Sequence, residues 1–144
     1  LPDIEEVVDF PPYSPPNYEP AGFGSSGNAF TLGTTLTAAS SANTKGSWTQ
    51  LIASTTNPVV GILVLLEVSS LATFLIDIGT GASGSEVVLI PDIYTSFYST
   101  NAAVMSAAIF FPVQVPAGTR IAARCQSGTA SSTIYVALSL METQ

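Results

Sequence analysis

Few side chains in this chain can do chemistry, and most reactions need others. There is no His, which removes the commonest general base and metal ligand. Cys125 is the single cysteine. Without a His it forms no nucleophile–base pair, and without a second thiol it closes no internal disulfide. Its expected place is the core, as a small apolar side chain, and a reducing site of assembly fits it. Paired carboxylates are the remaining acid–base option, as in glycosidases. Past the first twenty residues the chain offers Glu67, Asp77, Glu86, Asp92 and Glu142. Asp77 and Asp92 are candidates to meet at a sheet end, where the more ordinary role of such residues is to cap backbone amides. No Asp spacing makes a calcium loop, and neither a G-x-S-x-G elbow nor a P-loop is present. Gly79, Gly81 and Gly84 match a dinucleotide fingerprint in spacing. The residues that follow, Glu86-Val87-Val88-Leu89-Ile90, read as a strand, so the helix that would receive a pyrophosphate is missing. The chain is therefore expected to be no enzyme, with no cofactor and no metal.

Binding to charged partners is equally constrained. Lys45, Arg120 and Arg124 are the three cations, and the net charge is −7. Five of the ten acidic residues lie in the first twenty positions, so the body carries a nearly balanced charge. A phosphate backbone requires clustered Lys and Arg, so nucleic acid and anionic membrane are not expected partners. Charged residues make up 9% of the chain, against about 25% in an average soluble protein. A surface built from Ser, Thr, Gly and Ala suits repeated contact with neighbouring subunits. Exposed aromatic platforms would instead point to sugars. The candidates are Trp48 and the group Tyr94, Phe97 and Tyr98, although aromatics between strands more often close a core.

The elements that must position these residues read as strands throughout. Short apolar runs are separated by Gly, Ser, Asn and Pro, the pattern of a sandwich or barrel. Several runs alternate, which defines one buried face. Ile134, Val136, Leu138 and Leu140 form one inward set. Ile121, Ala123 and Cys125 form another, opposite Arg120 and Arg124. Further sets are Ile109, Phe111, Val113 and Val115; Phe74, Ile76 and Ile78; and Phe30, Leu32 and Leu36. The run 59–68 is apolar on both faces and is expected to be central or covered by a neighbouring subunit. Pro58–Ile78 is long and apolar, but Glu67, Asp77 and Ser69-Ser70 interrupt it, so two strands and a turn explain it better than a membrane span. Val115-Pro116-Ala117-Gly118 has the composition of a type I turn. The expected strands are 29–37, 47–54, 59–68, 71–78, 85–91, 104–115, 119–126 and 132–141. Eight antiparallel strands in two sheets is the jelly-roll count. The expected fold is an all-β antiparallel sandwich, jelly-roll-like, over residues 29–144.

Residues 1–28 differ from this body. The first twenty hold six of the ten prolines and no Lys or Arg, and 21–29 form a glycine-rich hinge. The opening residues are acidic, unlike a signal peptide. Proline-rich acidic leaders seldom bury enough apolar surface to fold alone. Ordering one costs about 1–2 kcal/mol per residue in backbone entropy, so an ordered leader must be docked on something. Phe10-Pro11-Pro12-Tyr13-Ser14-Pro15-Pro16-Asn17-Tyr18 is expected to run near polyproline II, while Ile4–Asp9 has the composition to add to a sheet edge. At about 3.1 Å per residue, twenty residues reach roughly 60 Å, enough to cross a neighbouring subunit. Phe10, Pro11, Pro12, Tyr13, Pro15, Pro16 and Tyr18 are the expected partner-binding residues of the arm. Folding back on its own body is the alternative. Arg120 and Arg124 share a strand face about 13 Å apart. They are candidate partners for Asp3, Glu5, Glu6 or Asp9 of another copy, or for Asp77 and Glu86 at home.

The body also resembles a known group. FTLGTTLTAASSANTKGSWTQLIAST, IDIGTGASGSEVVLIPDI and VPAGTRIAARCQS are similar to segments of small β-sandwich virion proteins of tailed bacteriophages. The resemblance covers roughly residues 30–141, excludes the arm and carries no catalytic signature. It implies a capsid decoration or cement protein, or a head or tail accessory component, often trimeric. The expected partners are then the major capsid protein or other virion subunits, on the outer capsid surface, after assembly in the host cytoplasm. A fibre or tail-tip module binding host glycans, and a minor jelly-roll capsid subunit, are the alternatives.

Overall fold

The computed structural model describes residues 17–21, 33–97 and 106–143. These form nine strands: β1 (Asn17–Ala21), β2 (Thr34–Thr37), β3 (Thr49–Ile52), β4 (Val59–Val68), β5 (Thr73–Thr80), β6 (Val87–Ser96), β7 (Ser106–Phe111), β8 (Ile121–Ser127) and β9 (Thr133–Glu142). All pair antiparallel. One sheet, here sheet A, runs β1-β9-β4-β7, with β2 also on β9; the other, sheet B, runs β3-β8-β5-β6. Apart from the β5–β6 hairpin, every connection from β2 onward crosses between sheets. This is the two-Greek-key order of a jelly roll, so the fold class expected from sequence holds.

The core lies between the sheets, and alternation explains who enters it. Ile62, Val64 and Leu66 of β4 and Ile134, Val136, Leu138 and Leu140 of β9 point in from sheet A. Phe74, Ile76 and Ile78 of β5 and Ile121, Ala123 and Cys125 of β8 meet them from sheet B. Leu36 joins them, and Ile109, Phe111 and Val113 pack against the cluster half-buried. Phe30 and Leu32 lie outside the described residues. Run 59–68 is central, flanked by β9 and β7. The long apolar stretch is two strands, β4 and β5, as expected; no helix among the described residues is long and apolar enough to cross a membrane.

Three strand boundaries differ from the sequence reading, and proline accounts for two. Run 104–115 stops as a strand at Phe111, because Pro112 brings no N–H to the ladder; Val115 then makes an isolated bridge to Val59. The run 85–91 continues through Pro91 to Ser96. β6 is an edge strand, the place where a sheet tolerates proline. Asp92 takes a left-handed conformation (φ 49) beside a register shift against β5. The third difference is β1. Asn17–Ala21, read as the end of the arm and hinge, lies on β9 of its own body, with Asn17 opposite Glu142 and Ala21 opposite Leu138. It too is an edge strand, which accommodates Pro20. Asn17–Ala21 adds to the edge of β9; residues 4–9, read as able to do so, lie outside the described residues.

Candidate functional site

The two outer faces of the sandwich carry the candidate sites. On sheet B, Asp77 points outward from β5, directly opposite Arg124 of β8. Its Oδ2 accepts Arg124 Nε at 2.8 Å. Its Oδ1 accepts Lys45 Nζ at 2.7 Å and the Asp92 amide at 3.0 Å. Lys45 Nζ also donates to Asp92 Oδ1 at 2.7 Å. The Asp77 side chain is 4% exposed, whereas Asp92 is 59% exposed. Asp77 and Asp92 therefore do meet, though within the β5–β6 pair rather than at a sheet end, and Asp77 does cap a backbone amide.

The electrostatics of Asp77 suit a structural anchor. Burial pushes its pKa up, but the Asp92 amide, Lys45 and Arg124 outweigh burial and hold it below the ordinary carboxylate value. A general acid needs the opposite shift. The two oxygens already take three donors, so little acceptor capacity is left for a substrate.

The network extends along β8. Arg120 donates to Glu86 Oε1 at 2.8 Å, to the Gly81 carbonyl at 3.1 Å and to Gln50 at 2.9 Å. Burial raises the Glu86 pKa, but its own backbone amide, Arg120 and the Gly84 amide more than reverse this. Residues 81–86 connect β5 to β6, with Gly81 (φ 118) and Gly84 (φ 84) in conformations that favour glycine. No helix follows them, so the fingerprint match is structural coincidence. Arg120 and Arg124 thus pair with Glu86 and Asp77 at home, the second of the two pairings read from sequence.

Trp48 belongs to the same face. Its ring lies over the backbone of Gly79; an added Cβ there would fall 2.6 Å from the ring. The Arg124 guanidinium sits 4.5 Å from the ring centroid, a cation–π contact. Sequence reasoning missed this role, because the signal is a glycine two residues from an outward Asp on β5, which is separated by β8 from the β3 strand that Trp48 precedes. Trp48 is half-buried and shielded by Arg124 rather than presented as a platform. Phe97 is in the core, Tyr94 is 60% exposed on β6, and Tyr98 lies outside the described residues.

Sheet A presents different chemistry. Leu63 and Leu65 face outward from β4, opposite Phe110 and Ala108 of β7 and Ser139 and Ala137 of β9. Phe110 is 49% exposed, and its ring covers Gly61, where a Cβ would stand 2.5 Å from the ring tip. Tyr135 and Met141 flank this patch, half-buried. Among the described β4, β7 and β9 side chains of this face, Glu67 is the charged one. The buried Glu142 carboxylate at the end of β9 holds the Asn57 side chain at 3.1 Å and its amide at 3.3 Å, which secures the chain entering β4.

The expected arm contacts are only partly placed. Tyr18 sits in β1, opposite Met141. Phe10, Pro11, Pro12, Tyr13, Pro15 and Pro16 lie outside the described residues. Cys125 is buried, and burial pushes its thiol up to about 11, the state of an inert core thiol. Among the described residues no His, Cys, Asp or Glu cluster is arranged to hold a metal.

No protein-family model matches the chain, and no curated protein matches it. Among solved structures, the catalytic domain of a GH87 alpha-1,3-glucanase in complex with nigerose is similar at 18% identity and a TM-score of 0.41, over 90% of this chain. The chain spans 29% of that one.

Proposed function

We propose that the chain is a non-catalytic structural protein of a virion, a capsid decoration or cement protein that binds the phage head through its sheet A side and its arm. The observation that carries this reading is the outer face of sheet A. Leu63, Leu65 and the half-exposed Phe110 make an apolar patch, and the edge of the same sheet seats β1, into which the arm leads. Charge depletion with Phe, Tyr and Met is the composition of an interface core. The resemblance of the body to phage particle proteins supports the same class. In this reading the partners are the major capsid protein and further copies, as a trimer. The site is the outer shell, after assembly in the host cytoplasm.

The test removes residues 1–20 and measures binding to purified shells and their resistance to heat. The proposal expects both to fall. Unchanged binding and unchanged shell stability would sink it.

One observation favours a second reading, a fibre or tail-tip module that binds host glycans. Tyr94 is exposed beside Leu75, Gln126 and Asn43 in one groove on sheet B. An aromatic face flanked by side-chain amides is suited to a neutral sugar ring. A glycan screen of the intact chain, with Tyr94→Ala as control, separates this reading from the first.

A further inference from the structure

β1 and β2 share one edge of β9 and run in the same direction. Ala21 stands opposite Leu138, and Thr34 stands opposite Val136. One position, Ala137, separates them, and by count it falls to Gly33. Gly33 is a bend outside the ladder that lies close against β9: a Cβ on it would stand 2.3 Å from the Val136 carbonyl oxygen and 2.9 Å from the Ala137 nitrogen. Gly33 also has a φ of +85, so a glycine is needed for the chain to enter the edge there. Asn17–Ala21 and Thr34–Thr37 therefore lie along one edge of Thr133–Glu142, their registers meeting with the single position Ala137 between them. Eleven residues, 22–32, are inserted between Ala21 and Gly33, with Gly22, Gly24 and Gly27 among them.

An in-register strand does not need this insertion. Closing the gap takes one residue step, about 3.8 Å, whereas eleven residues can span about 35 Å. The length gives β1 slack to leave its own β9 and reach another. Seated on a second copy, β1 would make the same ladder with the same β9 residues, so the two arrangements differ little in contact energy. The balance then follows the local concentration of neighbours.

We infer that the Leu138–Glu142 edge of β9 is a strand-exchange site, whose occupant in the assembled state is the Asn17–Ala21 strand of a second copy of this chain. The inference rests on the assembly reading above and names the partner at that edge. Dilute chains keep β1 at home; crowding on a shell favours exchange.

Cross-linking at register pairs tests it. Chains carrying Pro20→Cys alone and Ser139→Cys alone are co-refolded together, concentrated and oxidised. Exchange gives a covalent dimer holding one chain of each kind. The pair Tyr18→Cys and Met141→Cys repeats the test at a second position, in case one site does not tolerate cysteine. Deleting 22–32 joins Ala21 to Gly33 and leaves one continuous strand. That chain is expected to lose the mixed dimer, yet to close an internal disulfide when both cysteines are on one chain. Absence of the mixed dimer for both pairs, with ready internal closure, overturns the inference. A mixed dimer that survives the deletion overturns it too. Shell binding is measured separately: binding retained without exchange defeats this inference alone, and exchange without shell binding defeats the shell reading alone.

Discussion

The two sheets are built from the same kind of alternating strand, yet their outer faces solve opposite problems. Sheet B turns its outer face into a closed electrostatic network: all three cations of the chain meet Asp77, Glu86 and Asp92 there. Sheet A leaves Leu63, Leu65 and Phe110 facing outward with Glu67 at the margin. A chain with three cations has spent them all on one side. Sheet B's outer face thereby pairs its charges within the molecule, whereas the centre of sheet A's outer face is apolar.

Breaking the centre of the sheet B network is the strongest test of this contrast. Asp77→Asn leaves Lys45 and Arg124 gathered without their shared anion. A cost of about 3 kcal/mol in urea unfolding is expected, at the low end for a broken buried pair because both cations keep some water. Asp92→Asn, at the exposed end, is expected to cost under about 1 kcal/mol. Equal costs would show that burial does not organise the network. Gly79→Leu comes next. Its side chain must displace Trp48 from the β5 backbone, at about 1–3 kcal/mol for forced repacking, and tryptophan emission should move to the red.

Acid probes the same network without mutation. Asp77 and Glu86 are held below their ordinary values of 3.8 and 4.5. Each therefore adds stability that is fully present above those values and is lost as pH falls through the lower folded values. Thermal melting followed downward from pH 7 should hold until about pH 4.5 and then drop, with a shallower drop in Asp77→Asn. On sheet A the expectation reverses. Phe110→Ser should cost about 1–2 kcal/mol, the loss of a half-buried ring and less than Asp77→Asn, while weakening self-association and shell binding. The smallest effect concerns Cys125, which should resist alkylation at pH 8 in the folded chain and react once urea unfolds it.

Much of the fold was legible because alternation is a direct record of burial. The inward sets of β5, β8 and β9 could be read residue by residue, and β4 ran from 59 to 68 as expected. The ends were harder. Proline at 112 stopped β7, whereas proline at 91 did not stop β6; both are edge strands, and what differs is the register shift against β5 that takes up Pro91 and Asp92. The site was legible only in part. The home pairs Arg120–Glu86 and Arg124–Asp77 were among the candidates, since an outward Arg needs a nearby carboxylate. Lys45 was not, and Trp48 was a candidate only as a sugar platform, because their placement comes from a loop lying across β5 and leaves no periodic mark. The seating of Asn17–Ala21 on β9 was also hidden. Its register with β9 continues that of Thr34–Thr37, but eleven intervening residues conceal the continuity.

Pro91 and Asp92 have one more consequence, for solubility. At this point on the outer edge of sheet B, one residue has no N–H, and the next turns its N–H inward to Asp77. Two consecutive positions of an edge strand thus offer no donor to an approaching chain. Open strand edges are templates for uncontrolled pairing, and this protein has few charges with which to keep its copies apart. A two-residue interruption on β6 blunts that edge. Growth by β-pairing is thereby disfavoured along β6.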